Sequence, residues 1–135
     1  MKHMRKFAFL LVVITLFVTI ATPFSASAAT PRLNNTLMTN ENFIITDGVA
    51  YIGVAYTGYE NVTTRAFISI TLQRKTLFWW SEEATMSIGL NGWINSTSET
   101  IELSKTGSYR VIINYKISGS GGEDDELSVT LYDEY

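Results

Sequence analysis

Four consecutive acids, Glu123, Asp124, Asp125 and Glu126, follow the Gly121-Gly122 pair and gather the most oxygen ligands in the shortest stretch of the chain. Carboxylate oxygens of this kind are what Ca2+ takes in an extracellular medium. The spacing argues against it, because a calcium loop alternates its acids, whereas neighbours in an extended segment point in opposite directions. A solvated hairpin tip is the plainer reading, and its charges would also keep an edge strand from pairing with other chains. Glu82 and Glu83 invite comparison with the paired carboxylates of a glycosidase. Side by side on a strand they face away from each other, and so short a chain has little material for a cleft. The aromatic cluster Phe78, Trp79, Trp80 and Trp93 is the sharpest feature. Adjacent tryptophans on a strand point to opposite faces, so Trp80 is expected in the core as a structural residue. Trp79 is then exposed or shields a sheet edge, and beside Trp93 it would stack on a sugar ring or grip a partner. Trp79 and Trp93 are thus the ligand-binding candidates.

What the chain lacks narrows the chemistry further. There is no cysteine, and the one histidine, His3, lies in the leader-like N-terminus. Without imidazole or thiolate there is no ready general base, no sulfur nucleophile and no usual zinc ligand set. No spacing isolates a serine, threonine or lysine nucleophile with an activator. No enzyme and no cofactor are expected.

The elements that position these residues read as strands. From Arg65 to Leu90 the sequence is RAFISITLQRKTLFWWSEEATMSIGL. Ala66, Ile68, Ile70 and Leu72 alternate with Phe67, Ser69, Thr71 and Gln73, the period of a strand with one buried face. Trp80, Ala84, Met86, Ile88 and Leu90 form a second such row, joined to the first at Arg74 to Leu77. Glu82 breaks that row, which predicts a bulge near Ser81 to Glu83.

Phe43 to Thr46 is a first short strand, and Asp47-Gly48 suits a two-residue hairpin turn. Val49 to Tyr56 is apolar on both faces, as a central strand can be. Asn91-Gly92 is a strong turn signal, Asn95 to Ser98 a polar run, and Ile101 to Leu103 a short strand. Tyr109, Val111, Ile113, Tyr115 and Ile117 alternate in a sixth strand, and Leu127, Val129 and Leu131 in a last one. Leu103, Gly107 and Tyr109 have the spacing of a tyrosine corner, in which the Tyr109 hydroxyl bonds back to backbone a few residues upstream. The pattern predicts an all-β, immunoglobulin-like or fibronectin-like antiparallel sandwich of about seven strands with Greek-key connections. A small closed barrel is the alternative.

Residues 1–28 read as a cleavable signal peptide: basic Lys2, Arg5 and Lys6, an apolar run from Phe7 to Thr22, then Ala26-Ser27-Ala28. An uncleaved N-terminal membrane anchor is the alternative, which Pro23 and the small-residue tail argue against. Residues 29–42 are expected to be a flexible lead-in and 43–135 the sandwich domain. Cleavage after Ala28 leaves seven Lys and Arg against thirteen Asp and Glu, a net charge of −6. That acidity disfavours nucleic acid and anionic membranes. An exported domain without disulfides, held by packing and hydrogen bonds alone, fits a Gram-positive source better than a small eukaryotic one.

The ITLQR strand of Ile70 to Arg74, the tryptophan-bearing strand after it, the GSYRV segment of Gly107 to Val111 with Tyr115 behind it, and the GGE turn of Gly121 to Glu123 resemble small secreted proteins of unknown function from Gram-positive Firmicutes, especially clostridia. The resemblance covers the chain from about Val49 onward and brings no functional residues with it. The functional expectation is a secreted, extracellular or cell-wall-associated module that binds a protein or glycan at the cell surface. A carbohydrate-binding module and a secreted antibacterial effector are the alternatives.

Overall fold

The structure is a computed structural model and describes residues 33–135. The expected signal peptide, 1–28, and the first residues of the expected lead-in lie outside the described residues. Seven strands follow in order: β1 (Thr36–Thr46), β2 (Val49–Gly58), β3 (Thr63–Lys75), β4 (Trp80–Asn91), β5 (Ile94–Glu102), β6 (Ser108–Gly119) and β7 (Asp125–Glu134). They form two antiparallel sheets, β1-β2-β5 and β4-β3-β6-β7. This is an immunoglobulin-like, fibronectin-like sandwich. Compared with a constant-type immunoglobulin domain, the fourth strand has left the first sheet to pair with the third.

The predicted alternation accounts for the core. Ala66, Ile68, Ile70 and Leu72 of β3 and Tyr109, Val111, Ile113, Tyr115 and Ile117 of β6 are buried against Phe43 of β1 and Ala50, Ile52, Val54 and Tyr56 of β2. Asp47 and Gly48 both have positive φ, 51° and 77°, as the tight β1–β2 hairpin requires. Asn91-Gly92 also turns the chain, but between sheets: Gly92 donates its N–H to Thr64 O at 2.8 Å and accepts the Tyr56 hydroxyl on its carbonyl at 2.7 Å.

The tyrosine corner is present. The Tyr109 hydroxyl donates to Lys105 O at 2.5 Å, pinning the β5–β6 crossover to the start of β6. Burial, and after it the nearby Glu83 carboxylate, push the Tyr109 pKa up, so the phenol keeps the proton it donates. Replacing Tyr109 with Phe removes the donor and leaves the ring; a loss of about 1–2 kcal/mol in urea-unfolding free energy is expected.

Three expectations are corrected. The lead-in was expected to run to residue 42, but β1 begins at Thr36 and pairs with β2 along its length. Leu37 and Met38 are exposed, so backbone pairing and a distant anchor, not an apolar row, hold this part of the strand. The polar run Asn95 to Ser98 is strand as well, within β5, an edge strand whose inward positions opposite β2 are Asn95, Thr97, Glu99 and Ile101.

Trp80, expected in the core, lies on the outer face. The predicted bulge is the cause: Leu72 faces Ala84 while Gln73 faces Glu82, which leaves Glu83 as the extra residue. One inserted residue turns every side chain before it to the opposite face. Glu82 and Trp80 therefore point outward, and buried tyrosines fill the interior instead.

Candidate functional site

Register fixes what the outer face of the four-stranded sheet presents. Successive cross-strand rows carry Asn91-Arg65-Ser118, then Gly89-Phe67-Lys116-Glu126, then Ser87-Ser69-Asn114-Ser128, then Thr85-Thr71-Ile112-Thr130, and last Glu82-Gln73-Arg110-Tyr132. Short hydroxyl and amide side chains thus pave the middle, with aromatic rings at both ends.

At one end Phe67 is 52% exposed and stands between two adjoining hollows. The first, about 460 Å³, is lined by Arg65, Gly89, Asn91, Lys116, Ser118 and Asp124. The second, about 350 Å³, is lined by Ser69, Asn114, Lys116, Glu126 and Ser128. Lys116 separates them and faces two acids, Asp124 at 3.6 Å and Glu126 at 3.9 Å. Gly89 opens the wall beside Phe67: a Cβ built there has nothing within 4 Å.

At the other end Arg110 donates through Nε to Gln73 Oε1 at 2.8 Å and lies 4.5 Å over the Trp80 ring. Tyr132 meets the same ring at 5.9 Å between centroids. The guanidinium is thus held between the Gln73 amide and one face of the Trp80 ring, and this end is an aromatic rim.

The two tryptophans expected to share a ligand do not come together. Trp79 lies in the loop before β4 and is 64% exposed; Trp93 lies in the turn after β4 and is 38% exposed. The intervening strand separates them by roughly 35 Å. Trp79 instead neighbours the exposed Leu77 and Phe78, its ring 6.2 Å from that of Phe78.

Nor do the four acids gather around a cation position. Among the described residues no group of three or more His, Cys, Asp or Glu converges as a metal set. Glu126 and Asp124 turn toward Lys116, while Asp125 is buried with both oxygens taken. Its Oδ1 accepts the Asn34 N–H at 2.8 Å; its Oδ2 accepts the Asn35 N–H at 2.7 Å and the Thr36 hydroxyl at 2.8 Å. Asn35 then donates through Nδ2 to Glu123 O at 2.9 Å and accepts the Gly121 N–H at 3.1 Å. The acidic run is a clasp for the start of β1, with outward charges around one buried carboxylate.

The Glu82–Glu83 pair is also divided, Glu82 pointing outward and Glu83 accepting from Arg74 Nε at 3.0 Å. One further carboxyl, Glu41 of β1, points between the sheets toward Tyr115, whose pKa is pushed up by burial first and by this neighbour second.

Phe67 and Arg65 were not among the expected site residues. The signal was present: Phe67 is the one large apolar side chain on the polar side of the β3 alternation.

No protein-family model matches the chain, and no curated protein is similar to it. Among solved structures it is similar to wild-type OgpA from Akkermansia muciniphila, with 11% sequence identity and a TM-score of 0.44 over 83% of this chain. It is likewise similar to catalytically inactive OgpA in complex with an O-glycopeptide (glycodrosocin) substrate, with 11% identity and a TM-score of 0.43, again over 83% of this chain. The chain spans about a third of the length of those chains.

Proposed function

We propose that this protein is an exported, non-enzymatic binding module that engages its ligand on the outer face of the four-stranded sheet. The observation that carries the reading is the pair of adjoining hollows around exposed Phe67, floored by sheet and walled by hydroxyl, amide and charged side chains. A ring on a rigid strand offers contact area at little entropic loss, and short polar groups beside it fix orientation. The basic, then apolar, then small-residue N-terminus supports export.

A saccharide is the ligand class this surface fits best. Sugars present apolar C–H faces to aromatic rings and hydroxyls to side chains such as Ser69, Asn114, Ser118 and Ser128, all of which line the hollows. A glycan array, with Phe67→Ala compared against Ile44→Ala on the other sheet, tests this. Loss of about tenfold or more in affinity for Phe67→Ala alone is expected. Equal binding by wild type and Phe67→Ala would move the site elsewhere.

A further inference from the structure

We infer that the hollow at the Arg65 end accepts a carboxylate-bearing sugar, a uronic-acid unit of a glycan chain; the assignment rests on the binding-face reading above and adds the ligand's charge. Three arginines lie among the described residues. Arg74 is held by Glu83 at 3.0 Å, and Arg110 is committed to Gln73 and to the Trp80 ring. Arg65 has neither an ion pair nor a side-chain hydrogen bond among the described residues. A guanidinium presents a planar fork of donors that matches a carboxylate with two parallel hydrogen bonds. Left uncommitted on a chain with more acids than bases, that fork is the group on this face with the most unused capacity.

Its surroundings fit a pyranose. Phe67 projects from the same face two residues along, about 7 Å away, which is near the span from a sugar ring's centre to its exocyclic carboxylate partner. Gly89 across the pair leaves the ring open on the β4 side. Asn91 and Ser118 flank Arg65 in register, one on each side, at the level of ring hydroxyls. The acid in this hollow, Asp124, faces Lys116 at 3.6 Å, so it does not occupy Arg65. A neutral sugar would use Phe67 and leave Arg65 to water; a uronic acid uses both.

The test is binding of the purified protein to polygalacturonate, to its carboxyl-reduced counterpart and to poly-L-glutamate, by calorimetry at low and raised salt. Wild type is expected to bind polygalacturonate at least about tenfold more tightly than the reduced polymer, with Arg65→Gln erasing that preference and Arg65→Lys restoring part of it. Phe67→Ala is expected to weaken both sugars. Unchanged melting temperatures show that these exposed substitutions leave the fold intact. Equal binding of charged and reduced polymers by wild type, or no effect of Arg65→Gln, overturns the carboxylate assignment; if Phe67→Ala still abolishes binding, the face itself stands. Poly-L-glutamate bound as well as polygalacturonate overturns the sugar assignment. Failure of every polymer to bind wild type overturns the inference outright, and polymer binding indifferent to both Phe67→Ala and Arg65→Gln removes the face as well.

Discussion

Asp125→Ala is expected to lower the unfolding free energy by about 3–5 kcal/mol, the largest effect of any single polar substitution in the domain. The carboxylate is 5% exposed and takes three donors, from Asn34, Asn35 and the Thr36 side chain. Hydrogen bonds to a charged acceptor are stronger than neutral ones, and removing the acceptor leaves buried donors unsatisfied. Asn35 and Thr36 are themselves fully buried, so water cannot easily replace the lost partner. The damage extends along the chain, because this anchor fixes the first residues of β1 against β7, which β1 meets again at its far end through the Ile45 N–H to Asp133 Oδ2 hydrogen bond at 2.6 Å. Urea unfolding measures the loss. Limited proteolysis should show new cleavage around residues 33–42 before the rest of the sandwich opens.

The same group sets a pH dependence. Burial alone pushes the Asp125 carboxyl up, but the hydrogen bonds from Asn34, Asn35 and Thr36 outweigh it and hold its pKa below the usual carboxylate value. A carboxylate with a depressed folded pKa binds fewer protons in the native state than in the unfolded one. Its contribution is therefore complete above the ordinary aspartate value near 3.9 and is lost as pH falls through the lower folded value. Asp125→Asn keeps the size and removes the titration. The difference in urea midpoint between wild type and Asp125→Asn should be constant at neutral pH and shrink on acidification below about pH 4. A difference that stays constant through the acid range would mean that the clasp does not depend on the ionised form.

Where a strand buries one face against a neighbour and shows the other to solvent, the sequence carries its position. β3 and β6 do so with Ala66, Ile68, Ile70 and Leu72 and with Val111, Ile113 and Ile117, and both were legible residue by residue. The Asp47-Gly48 turn and the Tyr109 corner were legible because each is a local geometry that few residues satisfy. β5 was not, since INSTSETIE carries hydroxyls on both faces at an edge of the sandwich. The first half of β1 was hidden for another reason: its anchor, Asp125, is 89–91 residues away, beyond any local pattern. Trp80 shows the intermediate case. The bulge at Glu83 could be placed from the broken alternation, yet the parity change that carries Trp80 outward follows only once the bulge is taken as an insertion. The candidate site divides along the same line. Phe67 could be found from the β3 pattern, whereas the rows that set Arg65 between Asn91 and Ser118 depend on three strands meeting in register.

Gly119→Ala is the second large effect, and it probes the clasp from the opposite side. Gly119 ends β6 and has no positive φ, so an alanine would be tolerated conformationally. Space is what forbids it: a Cβ there would drive into the Val62 carbonyl and against Asn35 Oδ1. The neighbouring Ser120 N–H donates to that same Val62 oxygen at 2.9 Å, so moving the carbonyl away breaks the bond that seats the β6–β7 loop. Moving Asn35 instead breaks its bond from the Gly121 N–H and shifts the chain that Asp125 holds. Either relief spends hydrogen bonds, and a loss of about 2–3 kcal/mol in urea unfolding is expected. Gly89→Ala is the matched control, since its Cβ meets nothing within 4 Å, and a change of no more than about 0.5 kcal/mol is expected there. Because Gly119 and Asp125 act through Asn35, the double variant Gly119→Ala/Asp125→Ala should lose less than the sum of the two single losses. Additive losses would show that the loop and the N-terminal segment are secured separately, and that the acidic run does not join them.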